Sequence, residues 1–187
     1  MIRTLRERIV PIVQCLFVAA ATAFLTPSLA AQTPKGDAME GRIVPTFAWP
    51  AMDDSASIVS PLSLTGSVVL IDLWGTWCAP CRREMPFLHD AYARFHKAGF
   101  EIVSVAFDVS PGKVAIFRRQ FPMPWQHVYA TQGIEAEATR IFRIDQFPRA
   151  ILVDRDGTVL RVDQGLRGAA LAATLDSVFS GRLSRQR

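Results

Sequence analysis

The stretch Trp77-Cys78-Ala79-Pro80-Cys81, directly behind the apolar run Val68-Val69-Leu70-Ile71-Asp72-Leu73-Trp74, decides how this chain is read. Such a run has the pattern of a central strand covered on both faces, in a sheet flanked by helices. Past Pro80 the period changes. Met85, Leu88, Tyr92 and Phe95 recur at three- and four-residue spacing, Pro80 suits a first helical turn where no amide donor is missed, and Gly99 fits a C-terminal cap. Pro86 inside this helix removes one backbone hydrogen bond and predicts a kink. The two cysteines therefore stand where a strand gives way to a helix, the position expected of a reactive dithiol.

Thiol-disulfide exchange proceeds by attack of a thiolate through a mixed disulfide, so one sulfur must be exposed and ionised and a second must resolve the intermediate. At a helix N-terminus, free amide groups and the positive end of the dipole favour the thiolate of the first cysteine, below the ordinary pKa of about 8.5. Cys78 is the expected nucleophile and Cys81, one turn further in, the resolving thiol. Two carboxylates stand close by in sequence. Asp72 interrupts a strand that otherwise reads as buried, so a raised pKa and a role in moving a proton to and from Cys81 are expected; the alternative is a strand-end carboxylate reaching solvent or a backbone donor. Glu84, three residues after Cys81, falls on the same helical face within side-chain reach, although an acidic residue near a helix start is favourable without any chemistry.

Composition fits this picture. The chain has 187 residues, 50% hydrophobic and 20% charged, enough for one domain with its own core. Arg3, Arg6 and Arg8 precede an almost wholly apolar stretch over residues 9–25, and Ser28-Leu29-Ala30 offers small residues for cleavage, so residues 1–30 read as a signal peptide. An uncleaved membrane anchor is the alternative, weakened by Pro11 and Gln14. Either way the domain is expected to be exported, to the periplasm or to the outer face of the inner membrane. Cleavage would remove Cys15, leave Cys78 and Cys81 as the remaining cysteines, and leave 18 basic against 16 acidic residues, a net +2. That charge is too small to argue for nucleic acid, and no basic stripe interleaved with aromatics appears. Two cysteines so close cannot staple distant parts of a fold. A zinc half-site would need two more ligands, and His89, His96 and His127 lack finger spacing. No metal site is assigned, and Met85 reads as core filling.

Around this centre, residues 31–40 are polar and small, a flexible lead-in, with order expected near Gly41. Residues 46–49 and 56–60 form a candidate hairpin. Strands follow over 100–107 and 125–129, helices over 111–120 and 134–142, then strands over 150–153 and 158–162 joined by the turn Asp154-Arg155-Asp156-Gly157. Leu171, Leu175, Val178 and Phe179 mark a closing helix, and residues 181–187 a basic tail. One domain over 41–180 is the expectation, an α/β fold with a mixed central β-sheet flanked by helices and an N-terminal β-hairpin extension.

Three motifs in order, Gly41-x-x-Val44-Pro45-x-Phe47, Asp72-Leu73-Trp74-Gly75-Thr76-Trp77-Cys78-Ala79-Pro80-Cys81 and Pro148-Arg149-Ala150-Ile151-Leu152-Val153-Asp154-x-Asp156-Gly157, resemble the thioredoxin superfamily. Within it they are similar to the exported TlpA/ResA-like thiol-disulfide oxidoreductases, a group that includes cytochrome c maturation proteins. The resemblance spans roughly residues 41–179. It implies a thioredoxin-like fold, assigns Cys78 and Cys81 the roles given above, and places an active-site glutamate at Glu84. Asp72 departs toward thioredoxin itself, since the TlpA/ResA-like branch often has asparagine there. The resemblance further implies a cis-proline at Pro148, facing the cysteine pair and pairing through its backbone with an extended substrate segment. Trp77, Pro80, Phe147 and Pro148 are the expected substrate-contacting residues. Gln146 stands where the family usually has glycine, and Phe147 where a smaller or β-branched residue is commoner, which points to an altered rim and partner preference.

The implied activity is reduction of disulfides in exported proteins such as apocytochrome c, with no cofactor beyond the redox-active pair. Its implied partners are cysteine-bearing protein substrates and a membrane dithiol electron donor, with membrane contact only if the N-terminal segment is uncleaved. The alternative is a Cu(I)-binding metallochaperone or copper-site assembly protein using both thiolates. A peroxiredoxin-like peroxidase fits less well, because its reactive cysteine does not sit in WCxxC.

Overall fold

The computed structural model describes residues 36–183. The expected signal segment 1–30, residues 31–35 of the lead-in and residues 184–187 of the tail lie outside the described residues. Among the described residues no helix is long and apolar enough to cross a membrane.

Two short strands, β1 (Trp49–Pro50) and β2 (Ile58–Val59), pair antiparallel. Then come β3 (Val68–Trp74), α1 (Ala79–Phe95), β4 (Phe100–Ala106), α2 (Pro111–Gln120), β5 (Gln126–Tyr129), α3 (Gln132–Phe142), β6 (Arg149–Val153), β7 (Val159–Val162) and α4 (Ala169–Phe179). The main sheet has the order β5-β4-β3-β6-β7. Strand β3 runs parallel to β4, as β4 does to β5, and antiparallel to β6, which pairs antiparallel with β7. This is the expected mixed sheet, with β3 at its centre and all seven of its residues buried.

Alternation along the strands builds two cores. Leu70 and Trp74 of β3, with Ile102, Ala106, Ala150 and Leu152 of its neighbours, pack beneath α1, α2 and α4. Val69, Ile71 and Leu73 face the other way, onto Ala138 and Phe142 of α3 and onto Phe47 and Trp49 of the N-terminal segment. Each of the larger aliphatic and aromatic side chains contributes about 1.5–3 kcal/mol on burial. The hairpin is shorter than the expected strands over 46–49 and 56–60. Phe47 and Trp49 stack on each other at 4.4 Å and meet Phe142 edge-on, so side-chain packing rather than a long ladder holds this segment. Helix α1 runs through Pro86 to Phe95, and a short 3-10 turn over His96–Ala98 leads to Gly99, whose φ of 94° is the left-handed conformation that glycine takes without strain.

The lead-in is docked earlier than its composition suggests. From Asp37 onward it makes defined contacts, which corrects the expectation that order begins near Gly41. Gly41 N donates to Val159 O and Val159 N to Arg42 O, both at 2.8 Å, so residues 41–42 extend the β7 edge. Glu40 accepts from Val162 N at 3.0 Å. The buried guanidinium of Arg149, at the start of β6, binds Asp37 and Asp163 at 2.8 Å each and donates through Nε to Phe142 O. Burial would raise the Asp37 carboxyl, but the Arg149 hydrogen bond, Met39 N–H and nearby cations together hold it below its ordinary value.

Arg149→Met would strand two part-buried carboxylates and orphan the Phe142 carbonyl. The expected loss is about 3 kcal/mol, read from urea unfolding, with Asp37→Asn losing about half as much. A loss below about 0.5 kcal/mol for Arg149→Met would remove the guanidinium from the stability of the domain.

Candidate active site

Strand β3 ends at Trp74, and the chain crosses to α1 over Gly75-Thr76-Trp77 with every backbone turn tied. Cys78 N donates to Gly75 O, Phe107 N to Trp74 O, and Arg82 Nη1 to Thr76 O. Asp108, at the end of β4, accepts from Thr76 N at 2.9 Å and from the Thr76 hydroxyl. Trp77 Nε1 donates to Phe107 O at 2.6 Å, which lays the indole across Gly75. A Cβ at residue 75 would come within 2.5 Å of that nitrogen and 2.8 Å of the carbonyl, so the close approach requires glycine.

This crossing places Cys78 at the N-cap of α1, joined to Cys81 as a disulfide with Cα atoms 5.3 Å apart. Cys81 N donates to Cys78 Sγ at 3.2 Å. Pro80 lies in the first turn, where the missing amide hydrogen costs nothing, and both it and Ala79 are exposed. The oxidised sulfurs are not open to solvent: Cys78 is 3% and Cys81 1% exposed, against the exposed nucleophile expected from the chemistry. Both belong to the core beneath α1, while Trp77 beside them is 58% exposed.

The Phe147–Pro148 peptide is cis. Phe147 is half-buried and meets Trp77 edge-on at 5.4 Å and Phe107 at 5.0 Å. The structure therefore brings Trp77 and Phe147 together as an aromatic wall beside the disulfide. That wall borders a surface groove of about 430 Å³ whose lining includes Asp108, Glu135 and Asp145. Trp74, in contrast, is fully buried against Phe117, a core residue.

Asp72 is 3% exposed, between Leu70 and Trp74 on the face of β3 that α1 covers. Burial pushes its carboxyl up to about 6; the Arg167 cation and the Ser104 hydroxyl oppose this, and the charge of Glu84 adds to it. Glu84 itself is turned elsewhere. Its carboxylate accepts from Gly168 N at 2.7 Å, tying α1 to the loop ahead of α4, so the hydrogen bond found for it is to backbone and not to Cys81. That contact is legible only after the fold is known, because Gly168 is 84 residues away. Spacing along the chain likewise did not flag Ser104, Trp125 or Arg167. Ser104 had a readable signal, as a polar residue amid the apolar β4, in register with Asp72. Among the described residues no group of three or more His, Cys, Asp or Glu side chains is placed to hold a metal ion.

Asp72 sets a pH dependence. Its folded pKa of about 6 lies above the ordinary 3.8, so the native state binds more protons than the unfolded one between these values, and stability falls as pH rises through that window. The penalty levels off as pH passes above the folded value, and is complete by about pH 7. Asp72→Asn in the oxidised protein is expected to gain on the order of 2–3 kcal/mol at pH 7 and nothing near pH 4, measured as the difference in urea unfolding from the parent.

Comparisons with known proteins agree with this geometry. A family model described as thioredoxin-like matches residues 66–159. Thiol-disulfide oxidoreductase ResA of Bacillus thuringiensis subsp. konkukian is 29% identical over 100 residues, 54% of this chain and 56% of that protein. ResA of Oceanobacillus iheyensis is 30% identical over 120 residues, 64% and 58% of the two chains. The chain thus spans little more than half the length of these relatives. Among solved structures, the thioredoxin domain of a thiol-disulfide oxidoreductase from Bacteroides vulgatus aligns with TM-score 0.69 at 26% identity, covering 75% of this chain and 97% of that one. A thiol:disulfide interchange protein from Bacteroides sp. aligns with TM-score 0.68 at 27% identity, covering 76% and 91%. With a central β3, an N-capping cysteine and a cis-proline arranged as its motifs require, this chain belongs to the thioredoxin-like family.

Proposed function

We propose that this protein is an exported thiol-disulfide oxidoreductase that reduces disulfides in cysteine-bearing protein substrates. The observation that carries the reading is the donor already aimed at Cys78: the amide of Cys81, at the N-terminus of α1, points at Cys78 Sγ in the oxidised state. On reduction the same amide and the helix dipole would stabilise a Cys78 thiolate. Kinship with the ResA proteins and the disulfide in the structure support the same chemistry.

The Cys78 thiolate attacks one sulfur of the substrate disulfide, forming a mixed disulfide and expelling the other sulfur as a thiolate. Asp72, ionised, takes the proton of Cys81, whose thiolate then attacks Cys78 Sγ. The Cys78–Cys81 bond forms, the second substrate sulfur leaves as a thiolate, and two electrons have passed to the substrate. A membrane dithiol donor, acting on the resulting disulfide, would restore the pair, and Asp72 would return its proton to Cys81. No organic cofactor or metal enters any step. Substrate backbone would align beside Pro148, with Trp77, Phe147 and the exposed Pro80 bounding the approach. Glu84 serves this scheme through its charge at Asp72 and its hold on the loop before α4.

Residues 1–30 would act as the export signal, delivering the domain to the periplasm, free or anchored to the inner membrane, and exported cytochrome c precursors fit the substrate class.

Cys81→Ser is expected to accumulate a mixed disulfide with a model protein disulfide, visible on non-reducing gels, whereas Cys78→Ser accumulates none. The reverse pattern would exchange the two roles. Direction is read by alkylating the thiols of cells quenched in acid: a mainly reduced pair supports the reductase, and a mainly oxidised pair replaces it with an oxidase.

A further inference from the structure

Strands β3, β4 and β5 carry one polar residue each at matched positions on the face beneath α1: Asp72, Ser104 and His127 pair in register. All three are buried. Their hydrogen bonds have a fixed polarity. The indole of Trp125 can only donate, and its Nε1 donates to Ser104 Oγ at 2.8 Å. That occupies the serine oxygen as an acceptor, so the serine proton must point elsewhere, and Asp72 Oδ2 lies 3.4 Å away to receive it. The contact is long for O–H···O, and ionisation of Asp72 strengthens it, since charge-assisted bonds are shorter and stronger than neutral ones.

Trp125 is itself held. It is 4% exposed, meets His89 edge-on at 5.0 Å and Tyr92 at 5.6 Å, both on α1, and stacks toward His127 at 6.3 Å. His127 cannot substitute as a proton carrier for the file. Burial and the nearby Arg118 cation lower its pKa to about 4, and its Nε2 is engaged by Met123 O.

We propose that Trp125 and Ser104 form a one-way hydrogen-bond relay that fixes Oδ2 of Asp72 as an acceptor and leaves Oδ1 to exchange the proton with Cys81. Both are positioning residues, and the inference rests on the role given to Asp72 above. The surroundings of Asp72 supply no equivalent donor. Glu84 acts on it as a charge from α1 and Arg167 as a charge from the loop ahead of α4, Ala150 of β6 is apolar, and among the described residues Ser104 of β4 is the side chain found donating to it. Without the relay the hydroxyl is free to turn, either carboxyl oxygen can be protonated, and the acid form is favoured.

The test compares the full chain with Ser104→Ala, Trp125→Phe and the double variant. Ser104→Ala leaves the buried Trp125 N–H without a partner, whereas the double variant removes both ends, which guards against a fold that merely weakens. Two quantities are measured between pH 4 and 9: the 13C shift of the Asp72 carboxyl in the oxidised protein, and the rate at which Cys81 resolves a mixed disulfide with a model peptide. The relay predicts that the carboxyl titration and the acid limb of the rate profile both move up by about half to one pH unit in Ser104→Ala and in the double variant, and by less in Trp125→Phe. In an Asp72→Asn background, Ser104→Ala should leave the rate profile where it was. A carboxyl titration unchanged in both Ser104→Ala and the double variant overturns the relay. A titration that moves while the rate limb stays overturns instead the proton transfer assigned to Asp72, so the two failures are distinguishable.

Discussion

Strand β3 has no free edge and no free face. Its seven residues pair in register with β4 on one side, five of them also pair with β6 on the other, and helices or the N-terminal segment cover both surfaces. A strand so constrained can present chemistry only where it stops. It stops at Trp74, and the tied crossing over Gly75-Thr76-Trp77 fixes where α1 begins. The position of Cys78 at the helix N-cap follows from the sheet, and the character of its sulfur follows from the N-cap.

The same constraint makes Asp72 costly. A carboxyl within a fully covered strand loses its hydration, and burial is the largest influence on its proton affinity. The protein offsets part of this with one hydroxyl and one guanidinium, Ser104 and Arg167, leaving the carboxyl raised to about 6 rather than fully silenced. A carboxyl raised in this way suits proton exchange with a thiol, because it is ionised at neutral pH yet holds a proton more strongly than an ordinary carboxylate. Glu84 illustrates the opposite outcome: at the spacing that made it a candidate, it found a backbone amide, and its contribution is mechanical and electrostatic.

Beyond the site, Arg149 joins parts of the chain that are far apart in sequence. Its buried guanidinium links Asp37, Phe142 and Asp163, so the lead-in, the end of α3 and the loop after β7 meet directly behind the cis-proline. The N-terminal residues from Asp37 on are a working part of the domain rather than a tether.

The central strand, the long helix behind the cysteine pair, the turn between β6 and β7 and the dithiol at the helix start were legible along the chain, because each is written in periodicities and capping residues within one or two turns of chain. The sequence also marked Asp72, since a lone carboxylate in an apolar run is anomalous without any knowledge of neighbours. What that carboxylate touches, what Glu84 binds and why Arg149 can be buried came from packing between distant segments. Ser104 reaches Asp72 across 32 residues, Glu84 reaches Gly168 across 84 and Arg149 reaches Asp37 across 112. Strand register and helix docking make such partners, and nothing local in the chain records them. The same holds for the burial of the cysteines: an N-cap position predicts a reactive sulfur, but how much solvent reaches it depends on side chains that fold over it from elsewhere.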